Sequence, residues 1–570
     1  MLKEKPRCAM KLTATVLDGL TVVYPDAAPE SCPADFPPLL RNEAFSFQAA
    51  LRPDIAPGES EWITLIPEVD SPLADRIRVY TVELTPTVRV GYAGTDDWMD
   101  RRTPGLYPDR LHPLAPGEAL TVPAGFWKSV WFHLNEEAVP LEPGVYPVTV
   151  RFLSGGMNWR GETLPREEQA RVQFSLTVLP VCLPPQQIIA TNWLHYDCMA
   201  HFSGAAPWTD LFWTVVGRYL RLAAQNGQNM ALVPAFTPPL DTPIGQERQT
   251  VQLIGVEKKN GGYAFDFSDL ERFVDLARDC GIRYFEHSHL FTQWGAEHAP
   301  KIVATENGRT VRLFGWDTAA DSPDYRAFLH AYLTELKIFL REKGLTQSFF
   351  FHISDEPAPQ WLESYRSAAA FLHRELESLP SGDALSEFRF YEEGLVQTPI
   401  VASNRIDAFL GKAAPLWLYF TGGQSGSYLP NRLIGMSPVR SRILGWQLYD
   451  LNLQGFLHWG FNAHHNTLSR RILDPRISGD MGGDFSGGTS YLVYPDGENV
   501  EPSIRLAAFR DAMQDARALA LLESRIGRPA VRALIRRTVP DFSLHCKLSA
   551  PQMRALSRSV REALFKHQSE

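Results

Sequence analysis

From Ile188 onward, short apolar runs alternate with amphipathic helical segments, and this rhythm limits the fold more than any other feature of the chain. The runs are IIATNWLH (188–195), NMALVPAF (229–236), IRYFEHSH (282–289), SFFFHISDEP (348–357), FRFYEEG (388–394), IDAFL (406–410), LWLYF (416–420) and GFLHWGFN (455–462). Helical periodicity is plainest over 208–224, 268–279, 323–343, 360–377 and 437–453. Parallel strands covered on both faces read as continuous apolar runs. Eight run-plus-connection units are the count of a (β/α)8 barrel. A doubly wound sheet is the competing arrangement, because the sixth unit is the weakest of the eight. The helix over 323–343 is expected to open on Pro323 and stop at Gly344, a C′ glycine.

Upstream the pattern differs. KLTATVLDGLTVVY, FSFQAALR, WITLIP, RIRVYTVELTPTVRVGY, KSVWFHLN, GVYPVTVRFL and ARVQFSLTVLPV are β-rich, with Pro- and Gly-rich punctuation between them. Such spacing predicts an antiparallel β-sandwich. LPVCLPPQQ marks the boundary. The expected division is a β-sandwich over 1–185, a TIM-like catalytic barrel over 186–525 and a short helical C-terminal extension over 526–570. Arg alternates with Leu and Ala in that extension, which reads as a solvated cap or a subunit contact and leaves a homo-oligomer open.

Charge narrows the partners. Lys and Arg number 56 against 65 Asp and Glu, a net charge of −9, which argues against nucleic acid or an anionic membrane as the main partner. No stretch reaches the roughly 18 apolar residues of a membrane helix, and no signal-peptide run follows the N-terminal charges. The six cysteines form no C-x-x-C pair. A cytoplasmic protein with free thiols is expected. No cofactor is expected either, and SGDMGGDFSGGTS lacks the Lys and the strand–helix setting of a P-loop; no G-x-S-x-G elbow occurs, which leaves an α/β-hydrolase triad unsupported.

In a barrel, chemistry sits where strands end. The run ends here carry Asn192, Trp193, His195 and Tyr196; Glu286, His287 and His289; His352, Asp355 and Glu356; Tyr391; Trp417 and Tyr419; His458, Trp459 and Asn462. In FFFHISDEPAP an apolar strand runs into two adjacent acids. Pro357 should press Glu356 towards an extended conformation. Mutual repulsion would raise the pKa of one acid and leave the other ionised, which suits acid–base catalysis. The same residues could instead favour the following helix through its dipole. EHSHLFTQWG offers a His-x-His pair, readable as a metal site with His195, His352 and Asp355 or as hydrogen-bonding histidines; Gln293 and Trp294 beside it suit a sugar contact and an apolar platform. LWLYF, PNRL and GFLHWGFN combine flat faces with donors in Trp417, Tyr419, Arg432, Trp459 and Asn462, a mix that suits sugar rings but also ordinary core packing.

Taken in order, NWLHYDC (192–198), FTPPLDTPIG (236–245), ERQTVQL (247–253), HLFTQWGAEHAPKI (289–302), FHISDEP (351–357), PNRLIGM (430–436), GFLHWGFN (455–462) and YLVYPDGE with SIRLAAFRDAMQDARAL (491–519) resemble the DUF4091 / glycoside hydrolase family 123 group, bacterial exo-acting β-N-acetylgalactosaminidases. That resemblance implies a sandwich followed by a (β/α)8 barrel, and retaining, substrate-assisted hydrolysis without a metal. Glu356 would protonate the leaving oxygen and Asp355 would orient the 2-acetamido group. The substrate-binding set it suggests is Asn192, His195, Tyr196, His289, Gln293, Trp294, His352, Tyr391, Trp417, Tyr419, Arg432, Trp459 and Asn462. The substrate would be a small glycan or glycoside with a terminal β-linked N-acetylgalactosamine. The sequence departs from the group where a Gly-Asp pair usually precedes YLVYP: here FSGGTS stands there and Asp484 lies upstream. Three other readings remain: a glycosidase for another sugar, a non-catalytic carbohydrate-binding protein, and a metal-dependent hydrolase built on His287 and His289.

Overall fold

A computed structural model describes residues 11–30, 34–54, 61–157, 163–259 and 261–568. Cys8 and Cys32 lie outside them. Among the described residues, Cys182, Cys198, Cys280 and Cys546 are free thiols, and Cys182 is exposed rather than buried. No helix among these residues is long and apolar enough to cross a membrane.

The N-terminal region builds two five-stranded sheets. In the first, Lys11–Asp18, Phe45–Asp54, Lys128–Leu134, Ile77–Thr87 and Gly105–Pro113 pair antiparallel in that order. The second runs Leu39–Leu40, Thr163–Leu179, Gly144–Met157, Trp62–Asp70 and Leu120–Pro123. Period-2 alternation buries Val148, Val150 and Phe152 on one face. The two sheets share an apolar core, in which Phe47 stacks on Phe132 at 4.7 Å and meets Phe174 edge-on at 4.9 Å. Gly105–Pro113 escapes a sequence reading because prolines interrupt it. An edge strand tolerates them, and this strand ends its sheet.

The second region supplies eight parallel strands: Ile189–Asn192, Met230–Val233, Tyr284–His287, Phe349–Phe351, Gly382–Leu385, Thr398–Ala402, Trp417–Tyr419 and Gly455–His458. They are paired in two sets. The first strand leads through the eighth, seventh and sixth to the fifth, and the second through the third to the fourth. At one seam the Asn229 N–H donates to Ala190 O at 3.1 Å; at the other the Phe351 N–H donates to Pro380 O at 2.9 Å. Two expected strands are corrected. Phe388–Glu392 is a short helix and Ile406–Ala408 a 3-10 turn, while the strands lie at Gly382–Leu385 and Thr398–Ala402. Asp383 and Pro399 stand inside those strands and break the apolar signature that a buried strand usually shows.

The expected helices form with small shifts. Pro323–Glu342 starts with Ser322 accepting from the Tyr325 N–H, and Gly344 follows at φ +63°. Ile504–Ile526 lies so close to Pro438–Asp450 that a Cβ at Gly445 would sit 1.8 Å from Ala512 O. The helix Ala550–Lys566 folds back to the N-terminal region, where Arg554 meets Asp18 at 2.8 Å and Arg561 meets Glu43. Arg505 completes the fastening with a bidentate pair to Asp109 at 2.9 and 2.7 Å. It also donates to the carbonyls of Gly488 and Tyr491, so the loop before residue 491 is tied to the N-terminal sheets.

Candidate active site

The C-terminal ends of the parallel strands face a cavity of about 340 Å³, within the range of small-molecule sites. Its chemistry starts at Phe349–Phe351. This strand is fully apolar, and the chain leaves it through His352, Ile353 and Ser354, all buried. The Ile353 and Ser354 N–H groups donate to the two Asp383 oxygens at 3.1 and 3.0 Å. Asp383 therefore does for this turn what a helix cap does for a helix: it satisfies amides that have no ladder partner. Asp355 follows, its carbonyl accepting from the Trp294 N–H at 2.8 Å, and the Glu356 N–H donates to Ala384 O at 3.0 Å. Glu356 is not extended, as Pro357 alone would favour; it is held at φ +45° by these bonds on both sides. Such a conformation costs a non-glycine residue on the order of 1–3 kcal/mol and recurs at functional sites.

Both acids line the cavity. Burial pushes the Asp355 carboxyl well above the usual range, and the neighbouring Glu356 charge adds to this. The Tyr419 hydroxyl, on the seventh strand, donates to Glu356 Oε1 at 2.5 Å. Behind the pair lies a buried charge chain. Burial alone would discharge His352, but the Glu286 and Asp383 carboxylates on its two ring nitrogens outweigh it and raise its pKa to about 10. Glu286 also accepts from Trp193 Nε1 at 2.8 Å and from Thr191 at 2.9 Å. The indole of Trp193, which forms part of the cavity wall, is thereby linked through Glu286, His352 and Asp383 to the turn that carries Asp355.

Trp193, Trp294, Trp459, Phe485 and Tyr92 give the cavity flat apolar faces. Polar groups line it as well. The Asp241 N–H donates to Gln293 Oε1 at 2.7 Å, while Gln293 Nε2 is buried with no partner among the described residues. Consecutive amides of Thr467 and Leu468 hold Asp484 and Asp241 at 3.2 and 2.8 Å. Burial raises the Asp241 carboxyl.

Of the residues expected from sequence, Asp355, Glu356, Gln293, Trp294, Tyr419 and Trp459 meet at this cavity. Others stand behind it. Arg432 donates to Asn192 Oδ1 at 2.6 Å and to Gly460 O at 2.7 Å. Asn462 exchanges two bonds with the His195 backbone, and His195 Nε2 meets Trp459 O at 2.9 Å. Asn192, His195, Arg432 and Asn462 thus brace the Trp459 segment instead of lining the cavity. His352 is engaged as described. His289 is buried, stacked on His352 at 4.6 Å and edge-on to Trp193 at 5.0 Å, with neither ring nitrogen partnered among the described residues. Burial, aided by the His352 charge, holds His289 neutral.

Three placements are corrected. Tyr196 donates to Leu232 O at 2.6 Å inside the core. Trp417 stacks on Phe350 at 5.1 Å and fills the space over Gly455. Tyr391 is on the short helix, its hydroxyl directed to Lys412 O. Sequence reading overlooked Asp241, although it lies within FTPPLDTPIG, and Tyr92, which stands far upstream with no motif around it.

Among the described residues the His-x-His reading finds no ligand set, since His287 bonds Ser288 O and the Tyr332 hydroxyl. A different trio, Asp197, Cys198 and His465, brings its ligand atoms within 4.8 Å of one another. A guanidinium already holds it: Arg248 Nη2 lies 2.6 Å from Asp197 Oδ1 and 3.0 Å from both His465 Nε2 and His195 Nδ1. A fixed cation in that position engages the lone pairs a metal would need.

Two acids held in one turn at a cavity with flat apolar faces and hydrogen-bonding groups suit protonation of a glycosidic oxygen. The class of protein that fold and cavity define is a glycoside hydrolase. The particular family follows from the sequence: the chain belongs to glycoside hydrolase family 123, whose catalytic domain matches residues 193–522. A family 123 glycoside hydrolase from Clostridium perfringens, described for glycolipid glycan hydrolysis, has the same fold. Its TM-score is 0.68 at 12% identity, covering 98% of this chain and 97% of that one. A family 2 glycosyl hydrolase from Bacteroides cellulosilyticus DSM 14838 (TM-score 0.25, 9% identity, 81% and 48% covered) is far more distant. So is a β-glucuronidase from Bifidobacterium dentium (0.30, 9%, 88% and 67%). No curated protein matches the chain.

Proposed function

We propose that this hydrolase is exo-acting and retaining, and that it releases terminal β-linked N-acetylgalactosamine with the substrate's own acetamide as nucleophile. The observation that carries the reading is the adjacency of Asp355 and Glu356 in a single turn at one cavity. Adjacency puts one acid near the leaving oxygen and the other near C2, whereas a protein nucleophile would have to face the acid across the ring; substrate-assisted enzymes are free of that requirement.

In the first step Glu356 gives its proton to the glycosidic oxygen. The acetamide carbonyl oxygen bonds to C1 as the C1–O bond to the leaving group breaks. Asp355 accepts the acetamide N–H and balances the positive charge of the oxazolinium. In the second step Glu356 takes a proton from water, the water oxygen bonds to C1 from the leaving-group side, and the bond from C1 to the acetamide oxygen breaks, restoring the acetamide. The hemiacetal keeps its β configuration. His352 and Asp383 act by holding the turn, and Tyr419 by orienting Glu356. As part of the same reading, the two strand sets close into one (β/α)8 barrel, the N-terminal sheets form a sandwich, and the boundaries fall near residues 185 and 525.

The test is a panel of β- and α-glycosides with and without a 2-acetamido group. Turnover confined to β-acetamido sugars, with the galacto sugar preferred and inhibition by the corresponding ring-fused thiazoline, supports the reading. Equal turnover of sugars lacking the acetamide overturns it.

A further inference from the structure

We infer that Tyr92, supplied by the N-terminal β-sheet region, is a contact for the leaving group, so that the catalytic cavity is complete only with that region in place. This rests on Glu356 being the proton donor.

Tyr92 lies in the loop between the strands Ile77–Thr87 and Gly105–Pro113, yet its side chain forms part of the cavity wall. Its ring is pressed onto Gly422: a Cβ there would fall 2.1 Å from Tyr92 Cε2. Gly422 follows closely on Tyr419, whose hydroxyl holds Glu356. Tyr92 therefore flanks the cavity on the Glu356 side. Gln293 and Trp294 belong to the other side, where Trp294 N–H meets Asp355 O. A proton donor must face the departing oxygen, so the departing group extends past Glu356 towards the Tyr92 ring. The Arg89 guanidinium covers one face of the ring, 4.8 Å from its centroid, so the opposite face is the one on which the apolar side of a second sugar ring packs.

The loop is fastened on both flanks. The Val88 and Arg89 N–H groups donate to Asp480 Oδ2 at 2.9 and 2.7 Å. Arg89 Nη1 reaches the Gly483 and Asp484 carbonyls at 3.2 and 2.9 Å, and the Gly487 N–H returns to Arg89 O at 2.8 Å. Farther along, Asp96 is paired bidentately with the buried Arg440 at 2.7 and 2.9 Å. The Ser486 N–H donates to the Tyr92 hydroxyl at 3.2 Å. These bonds fix the ring and, through the same loop, the cavity residues Asp484 and Phe485. A contact so pre-ordered loses little entropy when a ligand arrives.

The experiment compares two leaving groups on the sugar the wild-type enzyme accepts: a second sugar, and fluoride, which has no ring to pack. Tyr92→Ala is expected to lower kcat/KM on the disaccharide about tenfold or more, the scale of a lost apolar contact, and to stay within about threefold on the fluoride. Gly422→Ala, which displaces the ring without removing it, should reproduce that split. Equal losses on both substrates, or an undiminished rate on the disaccharide, overturn the inference. Fluoride turnover also reports that each variant is folded. The acetamide requirement is decided beforehand by the wild-type panel, so failure of that reading leaves this comparison intact. Glu356→Gln tests the donor separately, through a larger loss on the disaccharide than on the fluoride.

Discussion

The Tyr419 hydroxyl donates to Glu356 Oε1 at 2.5 Å, joining the ends of the fourth and seventh parallel strands across the cavity. A donor on that oxygen leaves the other, Oε2, to carry the transferable proton. Tyr419→Phe should therefore lower kcat by about tenfold for a sugar leaving group, a fraction of what general acid catalysis supplies. Fluoride release should change less. Unfolding free energy should fall by no more than about 1.5 kcal/mol, because one hydrogen bond is lost without opening a core void. Steady-state kinetics and denaturant titration of the one variant check both.

Asp355 carries the pH dependence. Its carboxyl is raised by burial and then by Glu356, and its proposed task requires it ionised. The acid limb of kcat/KM should accordingly lie above the ordinary aspartate pKa of about 3.9. Asp355→Asn should cost about 10²–10⁴-fold in rate and remove that limb from the residual activity. The sign for stability is opposite. An acid whose folded pKa is raised weakens the fold once pH passes the unfolded pKa. The Asn variant should thus gain about 1 kcal/mol near pH 8 and lose the gain near pH 4. Denaturation curves at the two pH values decide it.

Metal removal should change nothing at the Asp197, Cys198 and His465 trio. The Arg248 guanidinium occupies the position a cation would take, and a chelator has nothing to withdraw from it. Turnover and Tm after exhaustive chelation should match the untreated protein. A drop in Tm restored by zinc would show that the trio binds metal after all.

Legibility in the sequence followed local pattern. FFFHISDEP was readable because apolar burial turns into paired acids within one strand end. Gly382–Leu385 was not, because Asp383 sits inside a strand as the acceptor for the Ile353 and Ser354 amides, a role with no local signature. Polar residues at strand ends look alike in sequence whether they face a ligand or one another. Asn192 and Arg432 satisfy each other at 2.6 Å, whereas the Gln293 amide nitrogen has no partner among the described residues. Only three-dimensional pairing separates these cases. Tyr92 was beyond reach for a different reason: it stands in a loop between strands of the N-terminal region, and no periodicity connects it to Gly422.

His352 makes the stability of the fold depend on pH. The ring is completely buried between Glu286 and Asp383, and its folded pKa of about 10 lies above the 6.5 of a free histidine. A group raised in this way stabilises the fold fully below its unfolded pKa. That contribution is lost as pH rises from about 6.5 through about 10. Wild-type stability should therefore decline across that window. His352→Gln is isosteric enough to fill the site but cannot be cationic. It leaves two buried carboxylates without their counter-charge, and breaking a buried pair costs about 3–5 kcal/mol. At pH 6 the variant should be less stable by that order, and the gap should narrow by pH 10 as the wild type loses its own imidazolium. Activity should fall more than stability explains, since Asp383 also holds the amides before Asp355 and Glu286 holds Trp193. Denaturant titrations at pH 6, 8 and 10 test the assignment. A gap that stays constant with pH would mean that His352 is neutral in the fold and acts only as a spacer.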